Sequence, residues 1–213
     1  MSAALKAEPT HESWKAEREA RIAKCFLGHE AHLLRRTSID GTLPIDALKW
    51  AKPGTNNYRI DFLCDGPRLI VTGDLYEAIY IAGAPVDGGG LAWWAGCDIG
   101  YFASKCAASP SGRGFEMWDA NLARINIRAR FDDEERDNGT GLSRMELFNS
   151  AGGWDALGNE AEWGEWLRSS GDEVWDEEWS EMFGVGTVVD WLCLAHLRGL
   201  QLAIKALGLT VAR

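Results

Sequence analysis

The stretch Tyr58-Arg-Ile-Asp-Phe-Leu-Cys-Asp-Gly-Pro-Arg-Leu-Ile-Val-Thr-Gly-Asp-Leu-Tyr-Glu-Ala-Ile-Tyr-Ile-Ala82 sets the fold class. Apolar and polar residues alternate from Tyr58 to Leu63 with the period of a half-buried strand. Asp65-Gly66-Pro67 turns the chain, Arg68–Thr72 reads as a second strand, Gly73-Asp74 turns it again, and Glu77–Ala82 reads as a third. Residues 58–82 are therefore expected to form a small three-stranded antiparallel meander.

On either side of the meander the pattern is helical. Thr10 can cap a helix predicted to run over 10–36, with Trp14, Ile22, Phe26 and Leu33 on its apolar face. Gly41, Pro44, Pro53 and Gly54 make Thr37–Asn57 mostly loop, with one short helix at Ile45–Trp50. After a glycine-rich loop at Val86–Gly90, helices are predicted at Ile99–Ala107, Glu116–Phe131 and Ser143–Ser150, with a solvated loop at Asp132–Gly139. Residues 98–182 thus form a helical, acidic region. A last helix over 187–207, apolar on most sides, is predicted to lie at the centre of the fold. The expected architecture is a single α+β domain spanning 1–213, mostly helical.

Charge is distributed unevenly along the 213 residues. The formal net charge is −10, yet residues 1–60 carry 10 bases and 7 acids, whereas residues 114–182 carry 6 bases and 18 acids. That sign disfavours direct binding to nucleic acid, which requires cations that displace condensed counterions. It does not disfavour a basic protein partner. No apolar signal core opens the sequence, and Asp190, His196, Arg198, Gln201 and Lys205 interrupt its most apolar stretch. A cytoplasmic protein without a membrane span is expected, and its five cysteines, which include no CxxC pair, are expected to be reduced.

The acidity peaks between Gly153 and Met182, with ten acids against one base, Arg168, and five of the eleven tryptophans. Asn159 can cap a helix that places Trp163, Trp166 and Leu167 on one face. Ser170-Gly-Asp-Glu173 reads as a second capping box, opening a helix in which Trp175, Trp179 and Met182 repeat that spacing. On its other face Glu173, Glu177 and Glu181 recur every fourth residue, and each such like-charge pair costs an isolated helix about 0.2–0.5 kcal/mol. Two readings stand: a solubility face, or a surface that imitates the phosphate backbone and occupies a partner's Lys/Arg groove. On the second reading the partner-binding residues are Asp172, Glu173, Asp176, Glu177, Glu178 and Glu181. Trp163, Trp166, Trp175 and Trp179 form the aromatic platform beneath them.

Cys25, His29 and His32 fall on one side of the predicted first helix, where three such ligands would suit Zn²⁺. A core histidine and a small buried thiol account for the same spacing, and no close second pair of ligands completes a site. No phosphate-binding loop, nucleophile elbow or zinc-protease motif occurs. The sequence implies no cofactor and offers no nucleophile beside a base, so an enzyme is not supported.

The segments Tyr58–Phe62, Leu69–Tyr80 (Leu-Ile-Val-Thr-Gly-Asp-Leu-Tyr-Glu-Ala-Ile-Tyr) and Tyr101–Ser109 resemble a group of small proteins encoded in phages and prophages. The resemblance leaves out the first helix and the acidic region, and it transfers no functional residue. It implies a phage or prophage setting, in which small acidic proteins without catalytic motifs are often inhibitors of host defence or transcription. Anti-CRISPR proteins are similar in size and charge. The expected function is inhibition of a host nucleic-acid-handling complex, with a CRISPR effector as the leading target class, through an acidic, DNA-mimicking surface. The alternatives are a metal-dependent enzyme or metal-stabilised module built on Cys25, His29 and His32, and a virion assembly component.

Overall fold

The computed structural model describes residues 10–37, 44–83, 90–109, 115–138 and 141–210. The chain divides into two compact units that alternate along the sequence. One comprises residues 18–116 and 189–213, and the other residues 1–17 and 117–188.

The first unit corrects the expected three-stranded meander to a six-stranded antiparallel sheet. Its strands, β1 (Glu30–Thr37), β2 (Pro44–Ala51), β3 (Ile60–Asp65), β4 (Arg68–Gly73), β5 (Ala78–Ile81) and β6 (Cys106–Ala108), lie side by side in chain order. The predicted helix over 10–36 is a helix, α1 (His11–Cys25), followed by a strand. Gly28, at φ +78°, takes a left-handed turn just past the helix end, and the chain leaves it extended. The short helix expected at Ile45–Trp50 is β2, paired along its whole length with β1.

One face of this sheet is the core side, where Leu48, Trp50, Ile60, Phe62, Leu69, Val71 and Tyr80 are buried. They pack under α8 (Trp191–Ala206), together with α2 (Gly90–Ala95) and α3 (Ile99–Ser104). Burying a large apolar side chain stabilises by about 1.5–3 kcal/mol, so α8, which buries Cys193, Leu197, Leu200 and Ile204, is a principal anchor. Asp190 caps it by accepting the Leu192 N–H at 2.9 Å. The predicted helix over 187–207 therefore starts four residues later, after β8 (Thr187–Val189). The helix predicted over 99–107 ends at Ser104, because Cys106–Ala108 pairs with β5 as β6. Residues 84–89, which take in the glycine-rich loop up to residue 89, lie outside the described residues.

The second unit contains α4 (Ala120–Asn138), α5 (Gly141–Ser150), α6 (Gly153–Ala156) and α7 (Glu160–Trp175). A nine-residue 3₁₀ segment, Asp176–Gly184, follows α7. The helix predicted at Glu116–Phe131 opens with a short strand, β7 (Glu116–Trp118), and α4 continues through the expected loop as far as Asn138. This core is aromatic: the Phe148 ring lies 5.0–6.2 Å from the rings of Trp154, Trp163, Trp166 and Trp175. Gly153 makes room for it, since a Cβ there would stand 2.5 Å from the Phe148 ring.

No helix among the described residues is long and apolar enough to cross a membrane.

Candidate functional site

The acidic surface is set by α7. Asn159 accepts the Glu162 N–H at 2.9 Å, and Glu160 and Glu162 in the first turn suit the positive end of the helix dipole. Glu160, Glu162 and Glu165 are exposed, while Trp163, Trp166 and Leu167 are buried. The indoles of Trp163 and Trp166 stack at 5.0 Å and 11°. Trp163 Nε1 donates to the Met182 carbonyl at 2.8 Å, and Trp166 Nε1 donates to that of Ala151 at 2.7 Å. Trp175 is fully buried and stacks on Phe131 at 5.2 Å. These three tryptophans are core, and the acids of α7 are carried on a rigid aromatic base.

The predicted second acidic helix is corrected. Ser170-Gly-Asp-Glu173 starts no helix, because α7 runs through it to bury Val174 and Trp175. Asp172 and Glu173 belong to α7, whereas Asp176, Glu177, Glu178 and Glu181 belong to the 3₁₀ segment. A 3₁₀ helix has three residues per turn, so a four-residue spacing does not stack positions as it does on an α-helix. The stripe Glu173–Glu177–Glu181 is therefore not one helix face. The side chains of Asp172, Glu173, Asp176, Glu177, Glu178 and Trp179 lie outside the described residues, and Glu181 is exposed.

What remains is acidity segregated by structural unit. Residues 117–188 carry 17 acids and 6 bases, whereas residues 18–116 carry 11 of each. Glu146, Asp155, Glu160, Glu162, Glu165 and Glu181 are all exposed, and none of them joins an ion pair among the described residues.

The Cys25, His29 and His32 cluster is dismantled by the turn at Gly28. Cys25 ends α1, and His29 packs edge-on to Phe26 and against Trp50, its Nε2 3.2 Å from the Tyr58 carbonyl. His32 sits on the opposite face of β1, 68% exposed, beside Glu30. Among the described residues no three His, Cys, Asp or Glu side chains could hold a metal ion.

Three of the thiols are held away from the reactive thiolate form. Burial pushes Cys64 and Cys193 up to about 12 and Cys97 up to about 11, and all five cysteines are free. His196 is fully buried and lowered to about 4, a neutral ring within the core.

No family model, curated protein or solved structure matches this chain. Function is therefore read from its own chemistry. Two surfaces stand out, the acids of the second unit and the sheet face turned away from α8. Sequence reasoning missed the latter. Its signal lay in Leu69-Ile-Val71 and Ala78-Ile-Tyr-Ile81, which are apolar at outward as well as inward positions.

Proposed function

We propose that this chain is a non-catalytic inhibitor, encoded by a phage or prophage, that acts in the host cytoplasm. Its acidic unit occupies the basic DNA-binding surface of a host nucleic-acid-handling complex, with a CRISPR effector as the leading target class. The observation that carries this reading is the concentration of 17 acids against 6 bases in residues 117–188, on a unit whose core includes Trp163, Trp166 and Trp175. Exposed carboxylates held on a rigid base meet a Lys/Arg groove at little cost in conformational freedom. A cofactor is not needed for such binding.

The test is a tagged pull-down from host lysate at low and high salt. It is run beside a variant in which Glu160, Glu162, Glu165 and Glu181 are changed to Lys. The parent should recover a nucleic-acid-binding complex that is lost at high salt and lost to the variant, because exposed charge pairs are screened beyond about 10 Å at 0.1 M. Recovery of nothing, or of a partner indifferent to both changes, would sink the proposal.

A further inference from the structure

The 3₁₀ segment Asp176–Gly184 is at odds with its own sequence. Trp175, Trp179 and Met182 recur with the period of an α-helix, as do Glu173, Glu177 and Glu181. Runs of 3₁₀ helix longer than roughly three or four residues are uncommon, and a conflict between local sequence and fold marks a strained or functional element.

The contacts at its two ends explain the stretching. Trp175 closes α7 inside the core, and toward the far end the Met182 carbonyl accepts the Trp163 indole N–H at 2.8 Å. The next residue, Phe183, packs where Gly164 has no side chain, with a ring carbon 3.8 Å from the place of a Cβ. The segment therefore doubles back along α7. Gly164 and Trp175 lie eleven residues apart on that helix, about 16 Å. The return from Trp175 to Phe183 has eight residues, which span about 16 Å as 3₁₀ helix but only about 12 Å as α-helix. Only the stretched form reaches both contacts. The chain just beyond can take up the difference: Gly184 has open space around it, whereas Gly186 is fixed against Trp118, where a Cβ would stand 2.7 Å from the indole.

We propose that Asp176–Gly184 is a two-state element: a 3₁₀ helix while Trp163 and Gly164 hold its end, and an α-helix when a polycationic protein surface engages its acids. In the α-form Glu173, Glu177 and Glu181 share one stripe. Their mutual repulsion opposes that form in the free chain, and a partner's lysines and arginines remove the repulsion. A cationic surface thus binds the α-form better than the 3₁₀ form, which is the difference a ligand needs to shift a population. The switch rests on the function proposed for the acidic unit and adds a change of shape to that contact.

The probe is a nona-lysine peptide added to the full chain labelled with ¹³C and ¹⁵N. Nuclear Overhauser contacts from the Hα of residue i to the amide of i+2 mark 3₁₀ helix, and those to i+4 mark α-helix. Over residues 176–184 the free chain should show the first set and the complex the second. Two variants should show the second set without peptide: Trp163→Phe, which removes the indole donor, and Glu177→Gln with Glu181→Gln, which removes the repulsion. Trp163→Phe should also bind nona-lysine about fivefold tighter, because the competing contact is gone. A bond that served the fold alone would leave affinity unchanged or lower it. If Trp163→Phe does not fold, the glutamine variant decides. Peptide bound to a segment that stays 3₁₀, or variants that keep the first set or lose both, would overturn the switch and leave the acidic unit's reading standing. Absence of nona-lysine binding would overturn the switch together with that reading.

Discussion

Tyr80 donates its phenolic hydrogen to Nδ1 of His196 across 2.9 Å, in the fully buried core beneath the sheet. The direction follows from the other ring nitrogen: Nε2 lies 2.8 Å from the Leu75 carbonyl, which can only accept, so Nε2 carries the hydrogen. Both ring positions are thus committed in the neutral state, and a third proton partner has no place.

This arrangement predicts acid lability. Burial lowers His196 to about 4, against the smaller opposing effect of the Leu75 bond, whereas in the unfolded chain it titrates near 6.5. Between those values the unfolded state binds more protons, so stability is full above pH 6.5 and falls as pH drops toward 4. The loss attributable to this ring is about 3 kcal/mol. Chemical denaturation of parent and His196→Phe across pH 4–7 reads it out. The variant, which leaves the Leu75 carbonyl unpartnered and the Tyr80 hydroxyl with only its longer bond to Cys193 Sγ at 3.8 Å, should be the weaker at pH 7, with the gap narrowing toward pH 4. Parallel curves would refute the assignment.

Glycine at position 73 is held by backbone, not by packing. It has φ +127°, and a Cβ there would stand 2.3 Å from the carbonyl oxygen of Arg59, the residue just before β3. Gly54 is also left-handed, at φ +78°, but has open space around it. Gly73→Ala should cost about 3 kcal/mol or more, combining strain with displacement of β3, while Gly54→Ala should cost about 1 kcal/mol. Equal melting temperatures for the two variants would contradict this.

The legibility of the fold divides at Gly28. Strands β3 to β5 were readable because inward apolar residues alternate between Asp-Gly and Gly-Asp turns. Strands β1 and β2 were not, because their core-side positions include Arg35 and Asp46, which break the apolar alternation and make sense only as partners across the ladder. Ile22, Phe26, His29 and Leu33 meanwhile satisfy a helical period, so one left-handed glycine decided whether Cys25, His29 and His32 converged. The acidity of residues 117–188 was plain from composition. The passage from α-helix to 3₁₀ helix at Asp176 was not, since it accompanies tertiary bonds such as that of Trp163 to Met182.

The Arg35–Asp46 pair should behave as a buried charge with one partner. Arg35 Nε and Nη2 donate to the two oxygens of Asp46 at 2.6 and 2.9 Å, and Asp46 is only 2% exposed. Arg35 itself is 62% exposed, so Arg35→Leu, which strands the buried carboxylate, should cost about 1–3 kcal/mol. Adding Asp46→Leu should recover most of that loss, because an apolar pair no longer has to be desolvated as charge. Urea midpoints for both variants test this, and a double variant weaker than Arg35→Leu would show that Asp46 has a role outside the pair.

Trp163 should control the order of the 3₁₀ segment. Its N–H is the donor to the buried Met182 carbonyl, and its indole stacks on that of Trp166. Trp163→Phe keeps an aromatic ring in the core but leaves that carbonyl without its donor, at a cost of about 1–3 kcal/mol. Because the bond ties α7 to Asp176–Gly184, the loss should be local before it is global. Hydrogen exchange of the backbone amides from Asp176 to Gly184 should quicken roughly tenfold or more, while those of α8 change little. If both regions respond equally, the segment has no independent opening, and its acids are held by the whole fold instead of by this one indole.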